Sequence, residues 1–207
     1  MSRTKVGILL SGAGSNAMAL IEAAASADYP AEIAVVASNN AKAGGLERAN
    51  AAGVATIAVD HRPFGKDREA HERALDMALR EAGCEFIALA GYMRIFTPFF
   101  VRAWSGKMIN IHPSLLPLFP GLDTHRSALA AGVKLHGCSV HWVIDGVDEG
   151  PLIGQAAVPV LTDDDEASLA ARVLAAEHRL YPACLAAAVG GATRAADTAA
   201  MLSNPAT

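Results

Sequence analysis

The chain has 207 residues, 52% of them hydrophobic and 18% charged, with a formal net charge of −4. That length suffices for a sizeable buried core, and the composition is globular rather than disordered. An acidic chain has no global positive field to recruit nucleic acid or an anionic membrane, so an anionic small molecule would need a local site.

In chain order, short apolar runs alternate with helical patterns. Strands are predicted at 5–10 (KVGILL), 32–38 (EIAVVAS), 55–60 (ATIAVD), 85–91 (EFIALAG) and 107–112 (KMINIH). Helices are predicted between them at 16–28, 44–53, 66–83 and around 97–104, the second and third closed by Gly53 and Gly83. Continuously apolar strands separated by helices indicate an α/β fold: an open, mostly parallel sheet with helices on both faces, of Rossmann-like type. Beyond residue 113 the rhythm changes, with a helix at 123–132 and strands at 137–144 and 150–160. The connection between those two strands is too short for a helical crossover, so they form an antiparallel pair. A long helix follows at 165–189, with acids in its first turn. Residues 1–190 are expected to form one domain, with halves at 1–106 and 107–190, and 191–207 a short frayed tail.

Cys84, Cys138 and Cys184 form an odd set without CxxC spacing, which indicates neither a disulfide framework nor a zinc knuckle. The longest uncharged apolar-rich stretch, 180–193, is broken by Pro182 and two adjacent glycines, too short to span a bilayer. No secretory leader is apparent, so the expected compartment is the cytoplasm. The histidines lack an HExxH pattern, and His136 and His141, five apart on a strand, face opposite sides; no metal site is expected.

Between the first strand and helix lies LLSGAGSNAMAL, a glycine loop of the kind whose backbone N–H groups and helix dipole cradle an anion. It lacks the lysine of a Walker loop. Gly12 to Ala17 matches GxGxxA, but the second strand ends in Ser38, Asn39 and Asn40, without the acid a dinucleotide ribose requires. A single terminal phosphate suits the loop better, with Ser15 and Asn16 adding hydrogen bonds. The alternative is that these two side chains merely cap the helix.

Ligands of open α/β sheets bind beyond the carboxyl ends of the strands. The glycine loop, GYMRI at 91–95 and NIHPSLLP at 110–117 fall there. Asn110 and His112 are two apart on a strand, so both side chains point one way and both can donate to a developing oxyanion. The alternative is a strand-end pair satisfied by loop backbone. The loop DGVDEGP (145–151) carries Asp145, Asp148 and Glu149, either as solvated turn acids or as a carboxylate partner that favours a cationic His112.

SGAGSN, GYMRI, NIHPSLLPLFPG and DEGP, in this order and spacing over about residues 5–189, resemble the folate-dependent phosphoribosylglycinamide formyltransferases of purine biosynthesis, in their stand-alone form. The resemblance implies 10-formyltetrahydrofolate as co-substrate and glycinamide ribonucleotide as substrate, with no metal, and a monomer or homodimer. It implies that Gly14, Ser15 and Asn16 hold the phosphate and that Glu177 meets the substrate amine, although Glu177 by itself reads as an exposed helix carboxylate. Arg68, Met93, Arg94, Ile95, Phe96, Val143, Ile144 and Asp145 would line the folate site, and Asn110, His112 and Asp148 would be the catalytic trio. Ala13 stands where family members often carry Asn, and Ile144 where a polar residue is usual. A formyltetrahydrofolate hydrolase shares the Asn–His–Asp logic, but that family carries an additional amino-terminal domain. A non-catalytic nucleotide-binding module would account for the glycine loop alone.

Overall fold

Strands buried on both faces send alternate residues into two separate cores, which is why they read as unbroken apolar runs. In the computed structural model, which describes residues 3–190 and the backbone of 201–202, five strands run parallel, and all but the partly exposed edge strand at 56–58 do this. They are β1 (Thr4–Leu10), β2 (Ala31–Ser38), β3 (Thr56–Ala58), β4 (Phe86–Leu89) and β5 (Met108–His112). Ile8, Ala88 and Ile109 join one core, packed under helix α6 (Glu166–Val189) and helix α1 (Ser15–Ala24). Their neighbours Leu9, Ile87 and Met108 join the other, with Leu75 and Leu79 of the third helix and Phe100 and Trp104 of the fourth segment. The remaining helices are α2 (Gly44–Ala51), α3 (Arg68–Glu81), α4 (Pro98–Ala103) and α5 (Thr124–Ala131).

The sheet continues antiparallel through β6 (Leu135–Trp142), which pairs with β5, and β7 (Leu152–Pro159), which pairs with β6. A two-residue β8 (Met201–Leu202) runs parallel to β7, giving the order β3-β2-β1-β4-β5-β6-β7-β8. The expected doubly covered, mostly parallel sheet with an antiparallel carboxy-terminal pair is therefore present. Pairing of β4 with β5 carries it without a break across residues 106 and 107. Most of the expected frayed tail, 191–200 and 203–207, lies outside the described residues.

Several boundaries differ from the sequence pattern for local reasons. Helix α1 stops at Ala24 rather than 28, because the chain tightens through Ser26 N–H to Ala23 O and Tyr29 N–H to Ser26 O before Pro30. β3 keeps only three residues at the sheet edge. A 3-10 turn at Arg62–Phe64, which the pattern does not announce, precedes α3. The last two antiparallel strands start and end near, not at, the expected limits, since the chain leaves β6 after Trp142 and folds back. A Cβ at Gly150 would sit 1.6 Å from the Trp142 carbonyl oxygen, so only glycine permits that return.

Helix α6 ties the sheet together beneath the carboxyl ends of β4 and β5. Its inward stripe runs through Leu169, Val173, Ala176, Leu180, Cys184 and Leu185, at the spacing of one helix face. From that stripe the fully buried Tyr181 donates its hydroxyl to Leu89 O at 2.7 Å, with Ile109 O at 3.4 Å. Tyr181→Phe removes the donor and leaves buried carbonyls short of a partner. It should cost about 1–2 kcal/mol, read as a lower urea midpoint with an unchanged slope.

Candidate active site

The glycine loop turns because Gly14 takes a left-handed conformation (φ 72°) at the start of α1. A Cβ there would approach Gly45 Cα to 2.8 Å, so two glycines let α2 press against the loop, where Gly45 N–H donates to Gly12 O at 3.0 Å. No side chain caps α1, which sets aside the reading of Ser15 and Asn16 as caps. The first-turn N–H groups and the positive end of the helix dipole remain directed outward, as an anion cradle needs. The loop borders a cleft of about 330 Å³ lined by Ser11 to Asn16, Ala90, Gly91 and Met93.

Asn16 points its amide at Glu177, with Nδ2 donating to Oε2 at 2.8 Å. Glu177 is not the exposed carboxylate that its sequence context suggests. It is 6% exposed, because it falls on the inward stripe of α6 between Val173 and Tyr181. Burial pushes its carboxyl above the usual range, and the Asn16 hydrogen bond offsets part of that rise. Asn16 Oδ1 is buried without a protein partner, an acceptor directed beside the cradle.

Leu9, Leu89, Asn110 and His141 form one register row across β1, β4, β5 and β6. The glycine loop, the segment after β4 and the end of β5 therefore share one edge of the sheet. Ser11 Oγ links the first two, accepting from Met93 N–H at 2.9 Å and donating to Asn39 Oδ1 at 2.6 Å. Asn110 and His112 do share a face, and antiparallel pairing adds His141 and Ser139 opposite them.

Onto this face the 143–150 loop folds back and delivers Asp148 in a left-handed conformation (φ 56°). Asp148 Oδ2 lies 3.3 Å from His112 Nδ1 and accepts from Gly121 N–H at 3.0 Å, and Oδ1 lies 3.6 Å from His141 Nε2. Burial pushes the Asp148 carboxyl up. His141, the Gly121 N–H and the charge of His112 together outweigh burial and hold it below its ordinary range. His112 Nε2 meets Phe119 O at 3.0 Å, so that nitrogen carries a proton, and the ring is fully satisfied when Nδ1 carries one too. The strand-end alternative, a histidine satisfied by loop backbone, thus describes one nitrogen of this ring, and the carboxylate the other. Phe119 is itself left-handed (φ 53°), a strained conformation for a bulky residue. The Leu116–Pro117 peptide in the same loop is cis.

His141, set aside in the sequence for its poor chelating geometry, belongs to this group. Its Nδ1 meets Trp142 O at 3.0 Å, leaving Nε2 to accept from Asn110 Nδ2 at 3.2 Å. The second amide hydrogen of Asn110 remains available to a ligand. The pairing of Asn110 with His141 is a matter of β5–β6 register, for which the sequence holds no signal. His136 does face the other way, toward His125 at 3.2 Å. Among the described residues no group of three His, Cys, Asp or Glu is placed to hold a metal ion.

The expected folate residues divide. Met93 and Ile95 are 66% and 60% exposed on the segment after β4, and Ile144 and Val147 are exposed on the loop that carries Asp148. Asp145 is exposed and Val143 half-buried, its N–H held by Met108 O. Phe96 stacks between Tyr92 and Phe100, with ring centroids 5.1 and 4.4 Å away, and so anchors the segment rather than facing solvent. Arg94 is half-buried, and Arg68 is exposed as the first residue of α3.

Residues 4–185 match the family described as formyl transferase. The chain is 44% identical over 195 residues to phosphoribosylglycinamide formyltransferase of Escherichia coli K12, covering 94% of this chain and 92% of that one. It is 49% identical over 195 residues to the trifunctional purine biosynthetic protein adenosine-3 of Drosophila pseudoobscura pseudoobscura, covering 93% of this chain but only 14% of that relative's length. The crystal structure of phosphoribosylglycinamide formyltransferase from Brucella melitensis superposes with a TM-score of 0.88 at 53% identity, covering 92% of this chain and 97% of that one.

A carboxyl whose pKa is lowered on folding stabilises the fold above its unfolded pKa, and that contribution is lost as pH falls through the folded value. Asp148→Asn should therefore lower stability at pH 7, and the gap to the unsubstituted protein should close as the pH drops below the ordinary aspartate value of about 4. Urea unfolding at pH 7 and at pH 3 checks this. A gap that widens in acid would contradict the assignment.

Proposed function

The chain belongs to the formyl transferase family, and on that premise we propose that it transfers the formyl group of 10-formyltetrahydrofolate to the amino group of glycinamide ribonucleotide. The observation that carries the reading is the approach of Asp148 to His112 at 3.3 Å, with Asn110 joined to the pair through His141, 3.2 Å from Asn110 and 3.6 Å from Asp148, beside a glycine-loop cleft that suits a monophosphate. In this reading Gly14, Ser15 and Asn16 hold the phosphate, and Glu177 with the unpaired Asn16 Oδ1 receives donor groups of the ribonucleotide. The exposed apolar side chains of Met93, Ile95 and Ile144 suit the flat ring system of a folate, and Arg68 and Arg94 suit its carboxylates.

The chemistry follows from the donor geometry. The ribonucleotide amine attacks the formyl carbon, and the carbonyl π-electrons move to oxygen to give a tetrahedral oxyanion. His112 would exchange its Nε2–H bond to Phe119 O for that oxygen while Asp148 holds Nδ1, and the amide hydrogen of Asn110 that His141 does not take would donate to the same oxygen. As the oxyanion collapses, the bond from formyl carbon to the folate N10 breaks. Asp148, directly or through a water, relays the proton lost by the amine to N10, so the products are the formylated amine and tetrahydrofolate. Residues 1–190 act as one catalytic domain in this reading, in keeping with the unbroken sheet. The three cysteines, all buried and free, fit a reducing cytoplasm.

A two-substrate assay tests the proposal: formylated ribonucleotide and tetrahydrofolate should appear together, in equal amounts. Formate released at the same rate with or without ribonucleotide would instead identify a hydrolase. His112→Ala and Asp148→Asn should each lower kcat by about 10²–10³-fold while ribonucleotide still binds. Near-normal turnover in both would remove the trio from the mechanism.

A further inference from the structure

The glycine loop has a second neighbour that the cradle alone does not explain. On its outer side a groove of about 450 Å³ runs between α1, α2 and α6. Ser15, Glu22, Arg48 and His178 are its polar lining, and Met18, Ala19, Ala23 and Pro182 its apolar lining. Arg48 sits in the last turn of α2, exposed, with Nη1 donating to Ala13 O at 3.3 Å. That is one neutral contact for a guanidinium with five donors, and among the described residues no carboxylate lies within ion-pair distance of it.

His178, the residue after Glu177, lines the same groove. Burial first, and then the charge of Arg48, hold its imidazole below the ordinary value, so at pH 7 it is neutral. Arg48 is thus the charged base in the lining of this groove, and its Nη1 reaches Ala13 O, two residues before α1 begins. A phosphate monoester dianion in the cradle has only partial charges opposite it from the helix dipole, equivalent to roughly half an elementary charge. An unpaired guanidinium beside the same turn supplies the missing fixed charge.

We propose that Arg48 is a phosphate-recognition residue: its guanidinium, tethered by Ala13 O, faces the terminal phosphate of the substrate at Ser15 and selects phosphorylated over unphosphorylated ligands. The inference deepens the function proposed above and rests on its assignment of the phosphate to the glycine loop. The tether also explains why an exposed arginine is kept in place, since one hydrogen bond limits its rotamers before the anion arrives.

The test separates charge from hydrogen bonding. Arg48→Gln keeps an amide donor for Ala13 O without charge, and Arg48→Lys keeps the charge without the fork. Both lie on the surface, so the core is untouched. Arg48→Gln should raise the KM for the ribonucleotide and the Ki for inorganic phosphate each about tenfold, with the KM for the formyl donor unchanged. Arg48→Lys should stay within about threefold of the unsubstituted protein. With the unphosphorylated riboside as acceptor, the unsubstituted protein and Arg48→Gln should perform alike. An unchanged phosphate Ki in Arg48→Gln, or Arg48→Lys as impaired as Arg48→Gln, would overturn the proposal. If the unsubstituted protein does not formylate the ribonucleotide, the proposed function fails by itself. Calorimetric binding of inorganic phosphate to both forms then still decides Arg48: equal affinities overturn its role, and a tenfold loss in Arg48→Gln upholds it.

Discussion

The Asp148 carboxylate is the contact on which the candidate site depends. An ionised carboxylate has only acceptors, and a half-buried one must find donors or lose its charge. Here it finds His112 and the Gly121 N–H, from two different segments, with the His141 ring 3.6 Å from its other oxygen. Through that one group the β6–β7 loop is held back across the sheet and the proline-rich loop after β5 is pinned beside it. The left-handed Asp148 and the close passage of Gly150 against Trp142 O are the backbone conditions for this arrangement. Aspartate tolerates that conformation better than most residues, and glycine alone tolerates the contact.

Beneath the loops the sheet supplies rigidity. The change from parallel to antiparallel pairing at β5–β6 places His141 opposite Asn110 without requiring a crossover helix between them. Tyr181 ties α6 to the carbonyls of β4 and β5 just below this row, while Glu177, one turn away on the same helix, meets Asn16 of the glycine loop. One helix therefore braces both halves of the cleft. Donors fixed on strands and braced from below need little reorganisation when charge develops in front of them, which is the physical basis of oxyanion stabilisation.

Much of this was legible in the residues. Continuous apolar strands alternating with helices specified the covered parallel sheet, and the short 145–149 connection specified an antiparallel pair. The spacing of Asn110 and His112 placed both on one face, and the glycine run marked the turn between β1 and α1. Glu177 and His141 were less visible. The stripe Val173, Leu180, Tyr181 contained the signal for burial of Glu177, but a carboxylate in a helix is ordinarily exposed, and only its Asn16 partner makes burial tolerable. For His141 no local signal existed, because its role arises from register between strands.

By itself the sequence determined which residues could be on the same face of an element, where the chain had to turn, and what chemistry the polar groups could offer. These are properties of one strand, one helix or one loop, set by side-chain period and backbone sterics over a few residues. Only the tertiary structure decided that Asp148, 36 positions beyond His112, closes on it. It alone seated His141 opposite Asn110, buried Glu177 against Asn16 and brought Arg48 to the glycine loop. Each of these contacts joins segments far apart in the chain, and their meeting depends on strand order, register and packing, none of which is encoded in any one segment.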